Sequence, residues 1–217
     1  NGGNVRMNIP PRADRTGNAV TGVSGRELSG VELAQRSESV VMIAVCDQQG
    51  NIIGNGSGIA VGANGFILTN CHVVRKGSGF AARFENDDRP YPVQVIKYHT
   101  INDMALLRVN RSLKPLPLYR GQRGELVRGQ KVIAIGSPMG LLNTVSDGII
   151  SGFRKVGEIE AIQFTAPISP GSSGGALLNA YGELIGMCFG GIEDGQNLNL
   201  AINYKDIYPF ISGFLGK

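Results

Sequence analysis

A chain of 217 residues that is 42% apolar and 18% charged, with a net charge of +4, has the apolar content of a globular protein and the length of one sandwich- or barrel-sized domain or two small ones. Three cysteines, an odd number without close spacing, exclude a disulfide scaffold and point to no metal site. The basic residues are spread out and not interleaved with aromatics, which argues against nucleic-acid binding, and no apolar run reaches the roughly 18–20 residues of a membrane span.

Residues 1–28 lack apolar periodicity and are dominated by Gly, Pro, Asn and Arg, the composition of a linker or loosely packed arm. A chain that begins at Asn1 rather than Met is expected to have lost its native N-terminus, and with it any signal or anchor. Ser29 with Glu32 three residues on is a capping box, which opens a short helix over GVELAQRSE. Twelve β-rich runs follow, of about the usual strand length of 5–6 residues: SVVMIAVCD, NIIGNGSGIAVG, GFILTN, GFAARFE, YPVQVIKY, MALLRVN, KVIAIGS, TVSDGIISGF, AIQFTAP, GALLN, ELIGMCFGG and LNLAIN. Turn signals separate them at Gln49-Gly50, Asn64-Gly65 and Asp194-Gly195. The final segment, YKDIYPFISGFLGK, is predicted to form a short C-terminal helix. No solenoid repeat is present, and no amphipathic helices alternate with the strands, which disfavours a parallel α/β sheet. The expected fold is all-β. Two six-stranded antiparallel barrels use the strands evenly, and a single sandwich fits the runs too.

The search for a general base is short, because the chain has two histidines. His72 in FILTNCHVV follows directly on an apolar strand, at its lip, where an imidazole can face a cleft; His99 in KYHTIND sits in a polar stretch and reads as a surface residue. A catalytic imidazole needs a carboxylate to fix its tautomer and a nucleophile within reach. Asp103, at the mouth of the apolar strand in NDMALLRV, is a rigidly placed candidate for the carboxylate; Asp87 and Asp88 in ENDDRP read as a solvated turn. The nucleophile candidates are Ser169, Ser172 and Ser173 in ISPGSSGGALL. Acyl transfer needs backbone N–H groups curled around an oxyanion, a conformation that glycine accepts cheaply. Ser173 has Gly171 two residues before it, so the N–H groups of Gly171 and Ser173 can form the pair. Ser172 has Pro170 at that offset and Ser169 has Pro167, and proline has no N–H. The constellation is therefore His72, Asp103 and Ser173, each at a strand edge.

Several stretches, GSGIAVGANGFILTNCHVV, NDMALLRV, KVIAIGSPMGL, VSDGIISG, APISPGSSGGALLNAYGELIGM and LNLAIN, resemble the trypsin-like serine peptidases of the chymotrypsin fold, and more closely the protease domain of the HtrA/Deg group. The resemblance runs from about Val40 to Asn203. It implies a double barrel, with the N-terminal barrel at about 38–112 and the C-terminal one at about 125–205, inside a protease domain spanning 29–217. It also implies His72 as general base, Asp103 as orienting acid, Ser173 as nucleophile and an oxyanion hole at Gly171 and Ser173. Phe189, Gly190 and Gly191 are then expected to pair with a substrate strand, and Ile168 and Asn199 to line the specificity pocket.

The sequence departs from the family in three places. Ser172 stands where Asn usually precedes the nucleophile, Cys71 precedes the histidine, and Asn199 stands where Gly is common. No metal or cofactor is called for. The expected partners are a protein or peptide substrate and an activating partner or attached regulatory domain, since in this group the oxyanion loop can be latent. A peptide-holding, chaperone-like module using the same cleft is the alternative. The resemblance points to an extracytoplasmic setting, the periplasm or cell surface, while unpaired cysteines leave the cytoplasm open.

Overall fold

The structure, a computed structural model, describes residues 25–191 and 198–215. Most of the expected N-terminal arm and the expected Asp194-Gly195 turn lie outside the described residues. The capping box forms as expected, with Ser29 Oγ accepting from Glu32 N–H and the Glu32 carboxylate accepting from Ser29 N–H. It opens α1 (Gly30–Ala34), which tightens into a 3-10 turn over Gln35–Ser39. Leu28, at the end of the expected arm, is tied down: its N–H donates to Ala180 C=O at 2.8 Å.

All twelve expected runs form strands. The first six are β1 (Val40–Cys46), β2 (Ile52–Gly62), β3 (Phe66–Thr69), β4 (Gly79–Phe84), β5 (Asp87–His99) and β6 (Met104–Val109). They close into a barrel in the order β1-β2-β3-β6-β5-β4. The second six are β7 (Lys131–Gly136), β8 (Thr144–Val156), β9 (Ile159–Phe164), β10 (Ala176–Asn179), β11 (Leu184–Gly191) and β12 (Asn199–Asn203), closing in the order β10-β11-β12-β9-β8-β7. Every pairing in both barrels is antiparallel. The double barrel is thus the arrangement adopted, and the single sandwich is not. The two barrels share one connectivity, so β4 corresponds to β10, a correspondence with no counterpart in a sequence repeat.

The apolar runs are continuous rather than alternating because many strands are buried on both faces. Along β1, Val41, Ile43 and Val45 fill the first barrel. Along β7, Val132 and Ala134 fill the second barrel, while Ile133 and Ile135 face a cluster that spans both barrels. That shared cluster joins Val40, Ile59 and Leu68 to Ile135, Leu178 and Met187. The C-terminal helix α3 (Tyr204–Ile211) is capped by Asn203, which accepts from Lys205 N–H, and it adds Ile207 and Ile211 to the cluster. The barrels are therefore fused by one core, which fixes the edges where polar residues meet.

One expectation is corrected. Asp87 is not a solvated turn residue: it starts β5, and its carboxylate is gripped by Arg89, Arg111 and Tyr91. These donors hold its pKa far below the usual carboxylate range, the Arg89 bond contributing most.

Candidate active site

The connection from the third to the fourth strand carries a candidate residue in each barrel. In the first barrel it holds a single helical turn, α2 (Cys71–Val74), which the sequence reading did not foresee. His72 stands on it. The turn is gripped from the β5–β6 connection by Asp103. The Asp103 C=O accepts from Cys71 N–H at 3.1 Å and from Asn70 Nδ2 at 3.0 Å. One carboxylate oxygen, Oδ1, accepts from His72 N–H at 2.8 Å, and Oδ2 meets His72 Nδ1 at 2.7 Å. Asp103 adopts a left-handed backbone, φ 49°, a region that Asp enters more readily than most residues. In a neutral imidazole, Nδ1–H donating to the carboxylate leaves Nε2 as an acceptor. The His72 side chain is 45% exposed and that of Asp103 19%, so the imidazole faces the surface while its partner is sheltered.

In the second barrel the same connection carries the loop 167–175. It docks against the first barrel at β2. Ser57 N–H donates to Ser173 C=O at 2.8 Å, and Ser57 Oγ donates to Gly171 C=O at 2.8 Å. Ser57 C=O in turn accepts from Thr69 Oγ1 at 2.6 Å, three residues before His72. At Gly56, an added Cβ meets both Val73 Cγ1 at 2.6 Å and Ser173 O at 3.3 Å. Ser173 and the His72 turn are thereby neighbours across one glycine. Ser173 Oγ makes no hydrogen bond among the described residues.

Accounting for the backbone N–H groups from Ser169 to Gly175 isolates two donors. Ser172 N–H goes to Ser169 C=O, Gly174 N–H to Cys188 C=O and Gly175 N–H to Ser172 C=O. The Pro170 carbonyl accepts from Met139 N–H at 2.9 Å. Pro170 has no N–H, and the N–H groups of Gly171 and Ser173 have no partner among the described residues. In a trans peptide the N–H points opposite the preceding carbonyl, so the Met139 bond turns Gly171 N–H away from Met139. Gly171 sits at φ +97°, and an added Cβ comes within 2.7 Å of Asn55 Nδ2 and 2.8 Å of Ser137 O. Glycine is required there for both reasons.

The three serines differ. Ser169 is exposed, Ser173 half-buried and Ser172 buried at 4%, with its Oγ accepting from Ser169 N–H. Ser172 is a brace inside the loop. Burial, with a smaller contribution from the nearby Asp103 charge, pushes the Cys71 thiol up, so the cysteine beside His72 is a packed, protonated side chain. His99 lies at the exposed end of β5 and accepts from Asn102 N–H through Nδ1. The structure does not bring it to the constellation.

Phe189, Gly190 and Gly191 end β11. Gly190 and Gly191 pair with Leu200 and Asn199 of β12, while the pairing of β11 with β10 stops at Met187. Ile168 is half-buried, packed on the core of the second barrel. Asn199 is buried, and its Nδ2 donates to Ala166 C=O at 2.8 Å, tying β12 to the start of the loop. Sequence reasoning missed Asn55, Ser57 and Thr69, whose side chains donate to distant backbone carbonyls, and Met139, whose N–H does the same; no local pattern marks those partners.

Residues 56–187 match the trypsin-like peptidase domain family. The chloroplastic protease Do-like 1 of Arabidopsis thaliana is 38% identical over 147 residues, covering 62% of this chain and 32% of that protein. The anti-sigma-I factor RsgI9 of Acetivibrio thermocellus is 34% identical over 177 residues, 81% of this chain and 25% of that protein. The chain thus spans between a quarter and a third of the length of these two relatives. The crystal structure of the serine endoprotease from Yersinia pestis superposes with a TM-score of 0.75 at 28% identity, covering 88% of this chain and 68% of that one.

Proposed function

The chain belongs to the trypsin-like peptidase family, and from that membership we propose that it is a serine endopeptidase that cuts protein or peptide substrates through Ser173, His72 and Asp103. The observation that carries the reading is the two-point grip of Asp103 on His72, at 2.8 and 2.7 Å, beside a loop whose free N–H groups flank Ser173. Ser173 Oγ attacks the scissile carbonyl carbon as its proton passes to His72 Nε2. The N–H groups of Gly171 and Ser173 receive the oxyanion. The imidazolium, stabilised by the Asp103 carboxylate, then gives its proton to the leaving amine. A water repeats the cycle on the acyl-enzyme and restores Ser173. A peptide-holding module has no use for a base held in a fixed tautomer, so hydrolysis is the better reading.

The substrate backbone pairs with Phe189–Gly191, whose far edge continues beyond the β10 ladder. Ile168 and Asn199 line the pocket for the residue before the cut. Neither is charged, and the Asn199 amide is already spent on Ala166 C=O, which favours small or medium aliphatic side chains. The Met139 bond to Pro170 supports a loop that stands ready. A latent form has to rotate the Pro170–Gly171 peptide and give up that bond, which is where an activating partner or attached domain acts. An extracytoplasmic setting goes with this reading. Hydrolysis of a fluorogenic peptide library tests it: Ser173→Ala lowers turnover by roughly 10⁴–10⁶-fold, and His99→Ala leaves it unchanged. An unaltered rate in Ser173→Ala refutes the proposal, and strong cleavage after Arg refutes the pocket assignment.

A further inference from the structure

Ser57 is fully buried in β2, and each of its polar groups is spent on a different part of the site. Its N–H donates to Ser173 C=O at 2.8 Å. Its C=O accepts from Thr69 Oγ1 at 2.6 Å. Its Oγ accepts from Ser137 N–H and donates to Gly171 C=O, both at 2.8 Å. The direction of the last two bonds is forced. A backbone N–H can only donate, so the hydroxyl proton is left for the Gly171 carbonyl.

One hydroxyl therefore ties the β7 end to the loop beside it. The backbone of the same residue holds Ser173 on one side and the segment entering the His72 turn on the other. Gly171 and Ser173 are also the residues whose N–H groups lack partners, so holding the carbonyl of each limits how far its own N–H can turn. We propose that Ser57 is a positioning residue that aligns the oxyanion donors with the nucleophile and the base across the seam between the barrels. The inference rests on the reading of Ser173 as nucleophile. Packing supports the same geometry: a Cβ on Gly174 comes within 2.0 Å of Ser57 O, and one on Gly136 within 3.2 Å of Ser57 Oγ.

Inactivation by an aryl fluorophosphonate measures this separately from stability, because the phosphonyl oxygen takes the oxyanion's place. The full chain is compared as wild type, Ser57→Ala and Ser57→Cys, with the maximal inactivation rate, the half-saturating probe concentration and the melting temperature recorded for each. Ser57→Ala is expected to lower the maximal rate by about 10–100-fold, short of the 10²–10³-fold loss of a whole oxyanion donor. The half-saturating concentration is expected to stay within about twofold, since the lost interaction acts in the transition state. Ser57→Cys keeps the shape with a weaker donor and falls between.

A folded Ser57→Ala protein that reacts at the wild-type maximal rate overturns the proposal, as does a loss confined to probe affinity or melting temperature. If the alanine variant does not fold, Ser57→Cys decides by the same criterion. A wild type that never reacts overturns the hydrolase reading, and this inference with it. A wild type that reacts alongside an equally fast Ser57→Ala overturns this inference alone.

Discussion

Gly174 follows the proposed nucleophile at φ +86°, and replacing it with alanine perturbs fold and site together. The new Cβ lands 2.0 Å from Ser57 O and 2.4 Å from Thr69 Oγ1, far inside any tolerated contact, and the first of these atoms is backbone. Holding an L-residue in this left-handed region costs roughly 1–2 kcal/mol. Relieving a steric overlap of this kind in a packed interior costs typically about 1–3 kcal/mol more. The sum, about 2–5 kcal/mol, corresponds to a fall in melting temperature of roughly 5–20 °C for a chain of this size. If the loop yields instead of the barrel, Ser173 moves relative to His72, and a displacement of about 1 Å costs on the order of 10²-fold in rate. Thermal unfolding and peptide hydrolysis are read on the same samples, with Gly30→Ala as a control because nothing lies within 4 Å of a Cβ there. A Gly174→Ala protein that melts within about 2 °C of wild type and cuts at the wild-type rate refutes the described contact between loop and β2.

Other residues give independent tests. The Glu183 side chain is fully buried and accepts from Asn179, Gln122 and Arg123; Glu183→Ala removes the buried carboxylate that these donors share and should cost about 3 kcal/mol or more in urea unfolding, so a loss below about 1 kcal/mol contradicts the network. Burial pushes the Cys188 thiol up to about 12 and Cys71 up as well, so a disulfide reagent at pH 8 should titrate Cys46 alone until the protein is unfolded. Because the folded state holds the Cys188 proton more tightly than the unfolded chain, its contribution to stability is intact below about pH 8.5 and is lost as pH rises toward the folded value. Cys188→Ala should flatten stability across that alkaline window, and an unchanged slope contradicts the assignment. Asn199→Ala removes the amide that bridges to Ala166 and is expected to shift cleavage toward larger aliphatic residues in a peptide library, an unchanged profile counting against Asn199 as a pocket wall.

The strand content was legible because most runs are short, β-branched and bounded by Gly turns; KVIAIG and FILT needed nothing further. Strand ends were not. β5 extends back to Asp87 because an ion-paired carboxylate and a proline at Pro90 can sit at the exposed start of a strand, whereas the sequence there shows only polar residues. The helical turn Cys71–Val74 was invisible because four residues carry no periodicity; Asp103 makes it, from 31 residues away. The two six-stranded barrels were expected from the even use of the strands and from the family resemblance, and both barrels close as expected; the runs alone fit a sandwich too. His72, Asp103 and Ser173 stood out because their chemistry needs particular side chains. Ser57 did not, because its work is done on backbone groups 80 and 114 residues away.

The most direct test of the account is where a fluorophosphonate attaches when the native chain is labelled and mapped by peptide mass spectrometry. One adduct per chain is expected, on Ser173, lost in Ser173→Ala and strongly slowed in His72→Ala. An adduct on Ser169 or Ser172, or a folded chain that takes up no label, contradicts it.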